Sequence, residues 1–305
     1  MADRLVTVFG GSGYLGRWIV QRLAEEGATV RAVCRRPDNV ALAPRNAPDG
    51  EIVPFYADVR DETTVAAAVA GADAVVNAVG LYVEHGAETF DVVHVQGALH
   101  VARTSAQAGV GRLVHISGIG VDEASSSPYL RARALGEAVV WDVFGYATIL
   151  RPSAVFGPDD AFLSALTGIV RSLPVVPLFG RGDTFLQPVY VGDVAAAVAA
   201  ALDRPETQAG VYEIGGPEVF RYRELVEMVS AQLRRRRILL PLPFWVWDLL
   251  ARLLMILPNP PLTRDQVALM RRDNIVGGSM PNLHDLGVTP TAIQAVLSEL
   301  AKRTS

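Results

Sequence analysis

The sequence predicts an α/β protein built on a doubly wound parallel sheet, with a smaller C-terminal lobe. Three observations predict it: a glycine turn set between an apolar strand and a helix near the N-terminus, an alternation of strand-like and helix-like segments through residue 150, and a loosening of that alternation with rising proline density from about Asp159. A composition of 50% hydrophobic and 20% charged residues over 305 positions suits one large α/β domain with a smaller one appended.

Leu5 to Phe9 is a short β-rich run. It enters a glycine turn, after which Leu15, Ile19 and Leu23 fall four apart on one helical face. Gly27 stands where a C-terminal cap belongs, and Ala28 to Cys34 reads as a second buried strand, so the segment completes one βαβ unit. The turn fits Gly10-x-x-Gly13-x-x-Gly16. The early glycines let the backbone turn tightly against a pyrophosphate, and the last lets helix and strand pack closely. The helix N-terminus, opening at Ser12, Gly13, Tyr14 and Leu15, offers unpaired N–H groups to the anion. In that context the pattern predicts a Rossmann-type dinucleotide site.

The end of the second strand bears on which dinucleotide fits. An Asp or Glu there reads the free 2′-hydroxyl of NAD, whereas an arginine accommodates a 2′-phosphate. Here Arg35 and Arg36 follow Cys34, and no acid occurs until Asp38. NADP(H) is therefore favoured over NAD(H); the plainer alternative is that two arginines at a strand end form a solvated rim.

The alternation continues. Ile52 to Tyr56 is a strand followed by Asp58, Thr63 to Ala70 a short alanine-rich helix, and Ala72 to Val79 a strand. Thr89 to Ala108 reads as a long helix, Arg112 to Ser117 as the fifth strand, and Gly145 to Leu150 as the sixth. Such a sheet binds ligands outside the carboxyl ends of its strands, which places Asp58, Val79, Gly80 and Ser117 along one rim with the glycine turn. Asp58 with Val59 could hydrogen-bond an adenine edge, and the small residues Ala78 to Gly80 would let the cofactor pass; the same residues could equally be plain strand ends.

Between Tyr129 and Phe144 the spacing predicts a helix, with Tyr129 and Arg133 one turn apart on one face. In a reductase the cation would lower the phenol's pKa from about 10 and hold the nicotinamide ribose, so that the phenol exchanges a proton with a substrate oxygen.

These residues resemble a known superfamily. GGSGYLG, Asp58, the Ser117 strand end, Tyr129-x-x-x-Arg133 and Arg151-Pro-Ser-Ala-Val-Phe-Gly157 together resemble the extended short-chain dehydrogenases/reductases. More narrowly, HVQGALHVARTSAQAGVGRLVHISGIG, LRPSAVFGPDDAFL, YEIGGPEVFRYRELVEMV and PLTRDQVALMRRDN resemble the atypical branch that contains the NADPH-binding alpha-subcomplex subunit nine of respiratory complex I and its bacterial relatives. The resemblance spans nearly the whole chain. It implies that Pro152 and Val155 pass beside the nicotinamide and that NADPH serves a structural purpose. It also exposes two departures. Active members carry Lys where Arg133 stands, and a Ser or Thr where register places Gly118. Arginine keeps the charge but not the ammonium's geometry, and losing one oxyanion donor typically costs ~10² to 10³ in rate. The catalytic set Tyr129, Arg133 and Ser117 thus reads as degenerate: an accessory or assembly protein of a respiratory or quinone system with weak or no turnover. The alternative is an active NAD(P)-dependent reductase or epimerase that keeps Tyr129.

In domain terms residues 1–157 form the nucleotide-binding core. Residues 158–305 form a mixed segment in which Gln187 to Asp193 returns a strand and helix to the main sheet, within about 185–215, with Asp193 as the helix N-cap. The remainder is a small α-rich lobe for substrate or docking. Its most unusual stretch is Arg234 to Arg237 followed by the apolar segment Phe244 to Leu257, 14 residues between flanking prolines and about 21 Å as a helix, too short to span a ~30 Å hydrocarbon core. Asp248 and Arg252 share one face, and Trp245, Leu249, Leu253 and Ile256 another, which predicts either an interfacial membrane helix or respiratory-complex docking face through 244–257, or a helix buried in the lobe. Leu283 to Gly287 reads as a turn and Thr291 to Ala301 as a closing helix.

A net charge of −4 argues against a nucleic-acid partner. The five histidines have no metal-ligand spacing, and the single Cys34 excludes an internal disulfide. No basic-then-apolar leader is visible at the N-terminus, so the expectation is a cytoplasmic protein, peripheral on the inner membrane if the 244–257 helix docks.

Overall fold

The computed structural model describes residues 4–40, 50–257, 260 and 262–297. They divide between two compact units, one drawn from 1–152, 191–214 and 277–289, the other from 153–190, 215–276 and 290–305.

In chain order the first unit opens with β1 (Leu5–Phe9), α1 (Tyr14–Glu25), β2 (Thr29–Cys34), β3 (Glu51–Tyr56), α2 (Glu62–Val69) and β4 (Ala74–Asn77). It continues with α3 (Gly97–Gln107), β5 (Arg112–Ile116), α4 (Pro128–Val143) and β6 (Thr148–Pro152). The second unit then contributes β7 (Val155–Phe156), α5 (Ala161–Ser172), β8 (Val175–Phe179), β9 (Phe185–Leu186) and β10 (Val189–Tyr190). The chain returns to the first unit for α6 (Val191–Asp203) and β11 (Val211–Ile214). It finishes the second with β12 (Phe220–Arg221), α7 (Tyr222–Gln232), β13 (Ile238–Leu242), α8 (Phe244–Leu254) and α9 (Arg264–Leu269).

Seven parallel strands form the main sheet in the order β11-β6-β5-β4-β1-β2-β3. The predicted doubly wound sheet is therefore present. The order reverses between β1 and β4, the switch point at which such sheets bind ligands. Strands read as near-continuous apolar runs because both faces are covered: Val6, Val8, Val30, Ala32, Val75 and Ile149 are all fully buried. Helix α1 buries Ile19, Val20, Leu23 and Ala24, and a fully buried Leu or Ile contributes roughly 1.5–3 kcal/mol. Gly27 ends it at φ +88°, and Ala28 N–H donates back to the Leu23 carbonyl (3.1 Å).

Three expectations are corrected. The strand of Gln187 to Asp193 does not join the main sheet; β10 pairs with β7 in the second unit, and the seventh strand is β11 against β6. Asp193 is not an N-cap, since α6 has begun two residues earlier at Val191, so the carboxylate sits buried in the first turn, where the helix dipole favours an anion. The long helix expected from Thr89 opens with a π-helical segment, Asp91–Gln96, before α3. That widened turn follows a close approach: a Cβ on Gly136 of α4 would lie 2.2 Å from the His94 carbonyl oxygen.

The second unit has its own core, around Phe156, Leu166, Val170, Leu178, Leu225 and Val226. Its α8 buries only Ala251, and inward-facing Trp247 stacks on Phe179 (4.1 Å) while its indole N–H donates to the Leu178 carbonyl (3.1 Å). Trp245, Leu249, Leu253 and Ile256 are exposed, Ile256 at 85%. The face assignment thus follows the predicted one, and the alternative of a helix buried in the lobe is set aside. The closing helix is present at 293–297; its predicted continuation to Ala301 lies outside the described residues.

Candidate functional site

The site is the carboxyl rim of the main sheet, and the glycine turn forms its centre. Gly10 and Gly11 both donate N–H to the Val33 carbonyl (3.0 Å each), which pins the turn to β2, and Gly13 N–H donates to the Gly10 carbonyl (2.9 Å). Gly10 adopts φ +79°, and a Cβ there would stand 2.8 Å from the Ala78 oxygen. A Cβ on Gly16 would stand 2.0 Å from the Gly10 oxygen, so α1 can pack this closely only with glycine. No side chain caps α1 through Gly13, and its first turn holds no acid, so the helix's positive end is left to an outside anion. Ser12, Tyr14 and Leu15 lie in this turn and helix start.

To one side, beyond β2 and β3, lie the charged candidates. Arg35 and Arg36 are exposed at the end of β2. Arg35 is ion-paired with Glu88, and Arg60 Nη1 lies 3.8 Å from the same carboxylate. Asp58 accepts from Arg60 Nε through both oxygens (2.9 and 3.0 Å), and this bond, with the nearby charges, holds its carboxyl below the usual range although burial works the other way. The Val59 side chain belongs to the core instead, leaving only its backbone for any adenine; its carbonyl accepts from His100 Nδ1 (2.7 Å).

On the other side, the ends of β4, β5 and β6 surround Tyr129 and Arg133. Helix α4 is fixed there by its Ser127 cap, with the hydroxyl accepting from Leu130 N–H, and by the Arg151–Glu137 fork (3.0 and 2.6 Å) to β6. The Tyr129 ring packs against Tyr82 (5.7 Å), Phe90 (5.5 Å) and His94 (5.7 Å), and the Arg133 guanidinium carbon lies 5.2 Å from its centroid. Arg133 is buried and reaches between two glycines: its Nη2 is 3.4 Å from where a Gly80 Cβ would be and its Nη1 3.7 Å from where a Gly118 Cβ would be. Ala78 N–H donates to the Phe9 carbonyl and Val79 N–H to the Asn77 side-chain oxygen (3.3 Å), which sets this edge, while the Pro152 carbonyl accepts from Ile119 N–H (3.1 Å). Val155 lies in the second unit, on β7 paired with Val189.

The electrostatics here correct the expected activation of the phenol. Burial pushes the Tyr129 phenol above its ordinary pKa, and the Arg133 charge offsets only part of that. Burial and the same guanidinium push His94 and His115 down to about 3, so both are neutral; His115 Nδ1 lies 3.2 Å from Asn77 Nδ2 and His94 Nε2 2.9 Å from the Leu81 carbonyl oxygen. Ser117 Oγ and Arg133 Nε are buried without a hydrogen-bond partner, as expected where a polar ligand completes the site. The residues therefore fit a dinucleotide at one end by backbone shape and at the other by unsatisfied polar groups. Sequence reasoning missed Glu88, Arg60, His94, Tyr82 and Phe90. Tyr82, Glu88 and Arg60 sit on connections without a spacing signal, Phe90 and His94 within the helix expected from Thr89, and only the tertiary fold brings them to the rim.

Residues 6–215 match the family described as NAD dependent epimerase/dehydratase. The chain is 34% identical over 298 residues to the mitochondrial NADH dehydrogenase (ubiquinone) 1 alpha subcomplex subunit 9 of Arabidopsis thaliana, covering 94% of this chain and 74% of that one. It is 33% identical over 302 residues to the protein of the same name from Rattus norvegicus, covering 98% and 80%. Among solved structures, the UDP-glucose 4-epimerase of Thermus thermophilus, solved in complex with NAD, superposes with a TM-score of 0.69 at 22% identity, covering 98% of each chain.

Proposed function

Because the chain belongs to the NAD dependent epimerase/dehydratase family, and to the branch of it represented by subunit 9 of the NADH dehydrogenase alpha subcomplex, we propose that it is a nucleotide-holding accessory protein of a respiratory or quinone system. In this reading it binds NADP(H) in preference to NAD(H) and turns it over slowly or not at all. The observation that carries it is the rim's asymmetry: a glycine turn complete in every feature a pyrophosphate needs, beside a phenol whose proton is held more tightly than usual. When bound, the nucleotide would supply a hydride donor; Gly10, Gly13 and Gly16 would hold its diphosphate, Arg35 and Arg36 a 2′-phosphate, Asp58 the adenine, and Arg133 and Ser117 the ribose end. General acid catalysis works best near the operating pH, and Tyr129 lies on the wrong side of its ordinary value for that.

The second unit supports the docking half of the reading. Among the described residues no helix is long and apolar enough to cross a membrane. Helix α8 and the turn after it instead present Trp245, Leu249, Leu253 and Ile256, with the exposed Arg234 to Arg236 upstream, which suits peripheral attachment at an anionic membrane face.

Mass spectrometry of the purified protein should find NADP(H) retained. Mixing with quinone, ketone and sugar-nucleotide panels should leave bound NADPH unoxidised within a single-turnover window. Prompt oxidation that depends on Tyr129 would overturn the accessory reading in favour of a working reductase. Vesicles containing anionic lipid should sediment the wild type but not the Trp245→Asp, Leu249→Asp variant; equal recovery of both in the supernatant would remove the docking half.

A further inference from the structure

The connection from β4 to α3 is built to deliver one carboxylate across the rim. His85 and Glu88 exchange backbone hydrogen bonds (3.0 and 2.9 Å) around Gly86, which turns at φ +57°, and the Glu84 carboxylate accepts from Phe90 N–H (2.8 Å). The backbone at Glu88 is thereby fixed by this two-bond turn. Its carboxylate accepts from Arg35 Nη1, at the end of β2, and lies 3.8 Å from Arg60 Nη1, after β3. In the sheet order β4-β1-β2-β3, strand β1 and its glycine turn lie between the origin of this loop and the residues it reaches. The Glu88 side chain therefore reaches from the β4 side of the rim to residues that follow β2 and β3.

Charge explains what the contact does. Arg35, Arg60, Asp58 and Glu88 form a cluster of two cations and two anions, which offers a phosphate dianion little net attraction. Asp58 accepts its hydrogen bonds from Arg60, through both oxygens, and feels Arg35 only at longer range, whereas Glu88 accepts directly from Arg35. We propose that Glu88 is a nucleotide-selectivity residue: its carboxylate occupies the arginine that would receive an adenosine 2′-phosphate, and a 2′-phosphorylated nucleotide binds by displacing it. This deepens the NADP(H) reading above and rests on it. NADH, which has no 2′-phosphate to offer Arg35, leaves the Glu88 pair in place. The residue thus tempers the preference for NADP(H) that the arginine alone would give.

Calorimetric titration of the full chain with NADPH and with NADH tests this. Glu88→Gln should lower the NADPH Kd roughly two- to fivefold, the range for breaking an exposed ion pair, and leave the NADH Kd unchanged. Glu88→Lys should move the ratio further in the same direction and make NADPH binding more sensitive to salt. An unchanged ratio in both variants, including an equal rise in both dissociation constants as expected of a strap that merely retains the nucleotide, would overturn the assignment. Arg35→Ala separates this from failure of the underlying reading. If the wild type prefers NADPH and Arg35→Ala abolishes the preference, a silent Glu88 series refutes the Glu88 role alone; if Arg35→Ala leaves the preference as it was and only Arg35→Ala with Arg36→Ala abolishes it, Arg36 carries the 2′-phosphate and the Glu88 role falls alone; if the double variant also keeps the preference, the 2′-phosphate site itself is elsewhere and both ideas fall.

Discussion

The two ends of the rim are built on different principles. At the glycine turn, recognition resides in the backbone: Gly10, Gly13 and Gly16 leave space, Val33 anchors the loop, and α1 presents its amides. At the Tyr129 end, recognition resides in buried side chains whose states are set by burial and by one guanidinium. The first arrangement tolerates almost no substitution. The second is shaped by a bulky side chain: the Arg133 guanidinium lies against the space that Gly80 and Gly118 leave open. The two positions that the resemblance singles out separately, 118 and 133, are thus neighbours in the structure. Binding and proton transfer have separate foundations in this fold, so one can persist without the other.

The largest effect expected breaks the comparison at its intact end. Gly16→Val should reduce affinity for NADPH and NADH alike by more than about a hundredfold and cost roughly 1–3 kcal/mol of stability, since even a Cβ meets the Gly10 carbonyl at 2.0 Å. Calorimetry with a thermal melt checks both; near-normal binding would mean the turn is not where the diphosphate sits. A smaller effect is expected from repairing the altered end. A Cβ at Gly118 meets Arg133 Nη1 only at 3.7 Å and the Pro152 oxygen at 3.8 Å, ordinary contacts, so Gly118→Ser with Arg133→Lys should fold. It should raise the single-turnover rate of NADPH oxidation against a carbonyl panel by about tenfold or more, the restored donor being worth up to ~10² to 10³ in established cases. No gain in rate would mean that the loss of chemistry lies elsewhere than in this pair.

How much of this is legible in the sequence follows the same division. The strand-turn-helix at Leu5 to Arg36 is local, and its apolar spacing and glycines specify the sheet's first βαβ unit without help from distant residues. The grouping of Trp245, Leu249, Leu253 and Ile256 on one side is equally legible from helical periodicity, but that this side is exposed and not buried in the lobe is seen only in the structure. What cannot be read is whatever depends on a partner far along the chain. A β-rich run before a helix points to Gln187 to Asp193 for the seventh strand, whereas β11 is chosen by its pairing with β6. Arg133, one turn away, predicts an acidified Tyr129 phenol; the desolvation that outweighs it comes with Tyr82, Phe90 and His94, all far upstream in the sequence. Arg35 is visible as a candidate, but not the Glu88 that meets it.

Acid should expose the altered end while leaving the glycine turn untouched. His94 and His115 are held at about 3 in the folded chain against an ordinary 6.5, so the folded state favours their neutral forms. Their contribution is complete above pH 6.5 and is lost progressively as pH falls from there toward 3, at about 1.4 kcal/mol per pH unit for each histidine once it is protonated in the unfolded chain. Urea denaturation at about pH 7.5, 6 and 5 measures this. The absolute stability of a His94→Gln, His115→Asn variant matters less than its slope, which should be flatter by the two histidines' share; an unchanged slope would mean that both rings take up protons in the native state.

Tyr129→Phe should produce the smallest effect, and its smallness is the point. The phenol oxygen accepts from Arg133 and the hydroxyl interacts with Tyr82, so its removal should cost about 1 kcal/mol of stability, the ordinary net worth of such a bond, while ring packing against Phe90 and His94 is kept. Nucleotide affinity should change by less than about threefold, because in the proposed reading the diphosphate is held at the other end of the rim. The raised pKa has a sign that can be read directly: a phenol titrating above its ordinary value favours folding below about pH 10 and withdraws that support as pH climbs further, so wild type should lose stability more steeply than Tyr129→Phe in strong alkali. If wild type instead bound NADPH with an inflection near neutral pH that vanished in Tyr129→Phe, the phenol would be acidified after all. The two ends of the rim would then have to be treated as one working active site.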